Sequence, residues 1–191
     1  MSDEHPRYCW DACIFYEHFR TLEEVEETKR QAIRKILVEN ERRENTIFTS
    51  AITHLEVVPK KLTRDDESAE KKYWALFGSK YFYEVPVDAN VIKLARAIKD
   101  YYFKEGDGKT GSYERVMDTG DAIHLATAIL NEANEFHTRD NSKKKRKVPL
   151  LDLKLYSPNG LIIGKYELNI VSPRIDQMDI EFGVKNVESA K

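Results

Sequence analysis

The sequence predicts an α/β domain with a mostly parallel sheet. Two observations carry this. Short runs rich in aromatic and β-branched residues, first Arg7–Trp10 and then Thr46–Ser50, alternate with stretches whose apolar residues recur at helical spacing. Such alternation is the pattern of a parallel sheet covered by helices. The second observation concerns a strand end. Arg7–Trp10 runs directly into Asp11, and ligands of open α/β sheets bind beyond the carboxyl ends of the strands. An acid at that place either faces a site or caps the next helix, since Asp is a strong N-cap.

The elements follow in order. A short helix is expected over Ala12–Phe19, then a long charged one over Leu22–Glu44. Val25, Ala32, Ile33, Ile36 and Leu37 keep one apolar stripe on the long helix, and the mixed charges around them form a solvated face. Thr46–Ser50 is strand two, followed by a helix over Ala51–Val58 that stops at Pro59. Ile52 and Leu55 are expected to set how that helix packs, with Glu56 at the edge of the buried stripe. Arg64–Gly78 reads as a helix and Tyr81–Val85 as strand three. Asp88 caps a helix carrying Val91, Ala95, Ile98 and Tyr102, which breaks at a glycine-rich loop over Glu105–Ser112. The next helix holds Asp118, Asp121 and His124, and its small Ala122, Ala126 and Ala128 suit close packing on a sheet. Glu135–Thr138 is strand four, closing at Asp140, with further strands expected at Leu161–Gly164 and Leu168–Val171.

A length of 191 residues fits one domain, residues 1–173, with an insertion around 141–167 and a tail over 174–191. Charged residues make up 34% and the net charge is -2, which excludes general polyanion binding but leaves local basic patches. The spacing of Cys9 and Cys13 is not that of a zinc knuckle, so two packed thiols in a reducing compartment are expected. No run approaches the ~18 apolar residues of a membrane span, and Met1–Pro6 lacks an apolar signal region. A cytoplasmic protein that does not enter the membrane is the expectation.

Four acids stand at comparable places: Asp11 and Asp140 end strands, and Glu56 and Asp121 lie on helices beside them. Gathering them at one sheet edge requires a cation. Two bare carboxylates about 4 Å apart repel by about 4 kcal/mol at an effective dielectric near 20. Mg²⁺ or Mn²⁺, hard ions that favour oxygen ligands, relieve that repulsion and suit phosphate chemistry.

At these residues the chain resembles a known family. Trp10-Asp11-Ala12, Ser50-Ala51-Ile52-Thr53-His54-Leu55-Glu56-Val57-Val58, Gly120-Asp121-Ala122-Ile123-His124-Leu125-Ala126-Thr127-Ala128 and Thr138-Arg139-Asp140 look like the four acidic motifs of PIN-domain nucleases, and among them the VapC-like toxin ribonucleases. The resemblance spans about Arg7 to Pro173. It implies a three-layer sandwich around a four- or five-stranded, mostly parallel sheet. It also implies an Mg²⁺- or Mn²⁺-dependent endoribonuclease, often dimeric and often restrained by an antitoxin. Carried over, Asp11, Glu56 and Asp121 are the principal metal-binding acids, and Asp140 completes the cluster directly or through water. The reading outside a toxin pair is RNA processing or single-stranded DNA cleavage, and the non-enzymatic one is a nuclease-dead binding module.

Neighbouring residues carry two readings each. Asp118 competes with Asp121 for the metal or caps the helix. His124 orients an acid, touches substrate or simply packs. Ser50, Thr53 and Thr138 stand as hydrogen-bond donors beside the acids, with helix capping the competing role for Ser50. The run Lys143, Lys144, Lys145, Arg146 and Lys147 is a solvated loop or an RNA phosphate contact. Tyr101, Tyr102 and Phe103 stack bases or pack a core or dimer.

Overall fold

A computed structural model describes residues 5–19, 26–58, 67–103, 115–141, 148–153 and 168–174. Five strands form one sheet: β1 (Arg7–Trp10), β2 (Thr46–Ser50), β3 (Phe82–Val85), β4 (Glu135–His137) and β5 (Asn169–Val171). Their order is β3-β2-β1-β4-β5 and every pairing is parallel. The helices are α1 (Ala12–Phe19), α2 (Glu27–Glu41), α3 (Thr53–Glu56), α4 (Glu67–Leu76), α5 (Ala89–Tyr101) and α6 (Thr119–Leu130), with a 3₁₀ turn over Leu150–Leu153.

Strand alternation divides the core. On one face Cys9, Phe48, Phe136 and Ile170 pack against α5 and α6 through Val91, Leu94, Ala95, Ile98, Ala122 and Ala126. On the other, Trp10, Ile47 and Phe82 meet Phe15, Ile33, Tyr73 and Val57. Side chains two apart on a strand share a face, so adjacent residues such as Cys9 and Trp10 serve opposite layers. This is the expected three-layer sandwich. The alanines of α6 let its backbone lie close to the sheet, and all its residues from Gly120 to Ile129 are buried.

The ends of the elements have local causes. Asp88 caps α5, accepting from the backbone N–H of Asn90 and Val91 at 2.9 Å each. Asp118 caps α6, accepting from Gly120 N–H at 2.9 Å. Helix α2 stops at Glu41, earlier than expected, because the chain folds back: Arg43 takes a positive φ of 65°, and the Asn45 side-chain amide donates to Ile36 O at 3.0 Å.

Helix α3 is a single turn, shorter than the predicted Ala51–Val58. Its packing differs too. Thr53 and Val57 are buried while Leu55 is 80% exposed, because four residues offer no second turn on which a stripe can repeat. The predicted strand at Leu161–Gly164, the loop over 105–112, the basic run Lys143–Lys147 and the tail beyond Arg174 lie outside the described residues.

Candidate functional site

β1 and β2 leave the sheet side by side, and α6 begins over the same edge. Asp11, directly after β1, is 93% buried, since its exposure is 7%. Its Oδ2 accepts from Thr138 Oγ1 at 2.6 Å and from the Cys13 thiol at 3.1 Å. Cys13 Sγ in turn accepts from Arg139 N–H at 3.1 Å. Oδ2 is thereby held by β4's exit and α1's first turn, and Oδ1 is directed toward His124, 4.0 Å away.

Glu56 arrives from α3. The Tyr16 hydroxyl staples that turn, donating to Glu56 O at 2.5 Å and accepting from Val58 N–H at 2.9 Å. Thr49 supports it from below, donating to Trp10 O at 2.7 Å and lying 2.5 Å from Thr53 Oγ1. The Glu56 carboxylate lies across α3 toward α6. Oε2 meets His124 Nε2 at 2.8 Å. Oε1 rests against Gly120, where an added Cβ would overlap it.

Asp11, Glu56 and His124 each offer a ligand atom within 4.8 Å of the other two. Asp121, in the first turn of α6 and buried, adds its charge to the group. Burial of His124 opposes its positive charge. The hydrogen bond to Glu56 and the charges of Asp11, Glu56 and Asp121 outweigh that, so its pKa is raised above the ordinary histidine value. Among the described residues no lysine or arginine lies in ion-pair range of Asp11 or Glu56. The carboxylates of Asp11 and Glu56, gathered beside one imidazole, fit a hard divalent cation. Asp11, Glu56 and His124 offer the gathered ligand atoms that could hold it, with the charge of Asp121 acting on the same imidazole.

The PIN domain profile matches residues 8–148, close to three quarters of the chain. The chain belongs to the PIN-domain family. PIN domains are nucleases. Solved structures are similar to the chain to differing degrees. VapBC2 from Rickettsia felis, bound to a DNA fragment from its promoter, aligns at TM-score 0.50 and 13% identity, over 86% of this chain and 98% of that one. A toxin-antitoxin complex from Klebsiella pneumoniae aligns at 0.45 and 22% identity, over 72% and 88%. FitAcB from Neisseria gonorrhoeae aligns at 0.46 and 18%, over 70% and 87%. No curated protein sequence matches the chain.

The remaining expected residues fall in distinct places for a PIN domain. Asp140 fastens the 3₁₀ turn to the exit of β4: its Oδ2 accepts from Leu150 N–H at 3.4 Å and its carbonyl from Leu151 N–H at 3.0 Å. Asp118 is the cap of α6. Thr138 holds Asp11 and also accepts from Asp140 N–H at 3.0 Å. Thr53 pairs with Thr49, their hydroxyls 2.5 Å apart. Ser50 caps nothing: its Oγ is buried with no hydrogen-bond partner among the described residues, and the residue at the N-cap of α3 is Ile52. Cys13 does more than pack, since it bonds to Asp11. Cys13, Tyr16 and Gly120 are positioning residues that sequence reasoning missed. Only Gly120 left a signal, as a glycine in the first turn of an alanine-rich helix.

Proposed function

We propose that this PIN domain is an Mg²⁺- or Mn²⁺-dependent endoribonuclease. We read it as the toxin of a toxin–antitoxin pair or a stress or phage-defence effector acting in the cytoplasm. The observation that supports this best is the gathering of Asp11 and Glu56 at His124 at the carboxyl edge of the sheet, with the charge of Asp121 acting on the same imidazole. When bound, a divalent ion polarises a phosphodiester and activates water for attack.

The chain's own residues prepare the place. Thr138 and Cys13 occupy one oxygen of Asp11 and leave the other for the ion. His124 fixes Glu56 and compensates part of the carboxylate repulsion. Asp140 acts at the rim, through water. Lys143, Lys144, Lys145, Arg146 and Lys147, which follow Asp140 in the chain, contact RNA phosphates.

An antitoxin and a second copy of the chain are the proposed protein partners. The Klebsiella pneumoniae structure is by name a toxin-antitoxin complex. No helix among the described residues is long and apolar enough to cross a membrane.

The test is cleavage of defined RNAs and single-stranded DNA, with and without Mn²⁺, by the parent and by Asp11→Asn, Glu56→Gln and Asp121→Asn. Metal-dependent RNA cleavage lost in all three variants supports the reading. Cleavage at the parental rate in the variants removes the assignment. Preference for DNA transfers the activity to the alternative substrate.

A further inference from the structure

Helix α3 carries Glu56 on its α6 side. On its other side it carries a second feature that the acidic site does not use. His54 points toward α4 and β3, where its Nδ1 lies 2.7 Å from Tyr73 OH and its Nε2 2.7 Å from Glu84 Oε2. Both ring nitrogens are thus engaged and the imidazole plane is fixed. Trp74 stacks on that plane, with centroids 4.6 Å apart and 27° between rings. Phe77 closes the edge of the imidazole at 5.0 Å and Tyr73 the edge of the indole at 5.3 Å. Despite these contacts Trp74 is 51% exposed, and Leu55, next to His54 in the chain, is 80% exposed.

An indole fixed by its neighbours yet open to solvent loses little freedom when another planar group lies on it. Half-exposed aromatic surfaces of this kind accept nucleobases, because every base has a stacking face. His54 and Glu56 share the single turn of α3, so the shelf and the acidic site flank the same turn. The local charge is mixed. Lys71, one turn before Trp74, is exposed, and so are Glu70 and Glu84, the latter paired with His54. A surface near neutrality suits a base better than a phosphate.

We propose that Trp74, stacked on His54, is a base-stacking subsite for single-stranded RNA that crosses α3 from the acidic site. This rests on the nuclease reading above and adds to it the strandedness of the substrate: a base paired and stacked within a duplex cannot present its face to the indole.

The chain has two tryptophans, and Trp10 is fully buried, so Trp74 can be followed by its own emission. Asp11→Asn protein, in which the RNA survives, is titrated with a short unstructured RNA and with the same RNA as a duplex. Single-stranded RNA is expected to quench Trp74, and the duplex is not. Trp74→Leu should weaken binding roughly tenfold with an unchanged salt slope, and Trp74→Phe should keep most of the affinity. In the active protein Trp74→Leu should raise KM for RNA while Mn²⁺ affinity stays the same.

Unaltered emission with bound RNA, or equal affinities of Trp74→Leu and parent, overturns the shelf while RNA cleavage by the parent leaves the nuclease intact. If Trp74→Leu instead changes the oligomeric state in light scattering and leaves RNA affinity unchanged, the surface is a protein contact and the proposal fails. A parent that cuts no RNA refutes the nuclease reading separately.

Discussion

Gly120→Ala separates the fold from the site. Alanine is the better helix former by up to about 1 kcal/mol, so on propensity alone α6 gains. The new Cβ, however, occupies space taken by Glu56 Oε1 and comes to 3.4 Å from Glu56 Cδ and from Asp118 Oδ1. Restoring an ordinary C···O separation of about 3.3 Å requires the carboxylate to withdraw by about 1 Å or more. It can do so easily, being the end of a flexible side chain, but it then leaves His124 Nε2 at its present 2.8 Å. Loss of a hydrogen bond to a charged group costs about 1.5–3 kcal/mol, against which the propensity gain is set. The net change in stability of the metal-free protein is therefore about 0.5–2 kcal/mol, a shift of a few degrees in Tm. Activity should fall about a hundredfold, the usual effect of a 1 Å misplacement in a site. The assays are RNA cleavage in Mn²⁺, Mn²⁺ affinity by calorimetry, and thermal unfolding. Cleavage within threefold of the parent together with unchanged Mn²⁺ affinity would refute the placement of Glu56 against Gly120.

Three further outcomes follow from the structure. Cys13→Ala removes a donor from Asp11 Oδ2 and an acceptor from Arg139 N–H, so Mn²⁺ affinity should drop about tenfold, and Cys13→Ser should restore most of it. His124 has a raised pKa, so in metal-free protein its contribution is fully present below about pH 6.5 and is lost as pH rises through the folded value; Tm should decline there, saturating Mn²⁺ should remove the slope, and His124→Gln should lack it. His18 behaves oppositely. Burial, then Arg30 and Arg34, lower its pKa to about 4, so stability is intact above pH 6.5 and falls as pH drops toward 4, by at most about 1.4 kcal/mol per unit. His18→Phe should flatten that acid limb in urea unfolding, and an unchanged limb would show that another group causes it.

Local chemistry made much of this legible in the sequence. β1, α1 and β2 occupy the predicted residues because aromatic and β-branched runs and helical spacing are signals within a few residues. The Asp118 cap and the alanine spacing fixed the register of α6 and so the inward direction of Asp121 and His124. What stayed hidden acts through space. Cys13 and Thr138 are 125 positions apart, and Tyr16 reaches Glu56 across 40. No spacing rule marks such pairs. Leu55 was misread because a one-turn helix has no period to read.

The strand order has a consequence for biosynthesis. β1 is made first yet lies in the middle of the sheet, between β2 and the much later β4. A nascent chain that has emerged only to residue 120 holds Asp11 and Glu56 but neither Asp121 nor the strand that flanks β1 on its other side. A chain terminated there therefore lacks both the α6 part of the acidic group and the strand that completes the sheet beside β1.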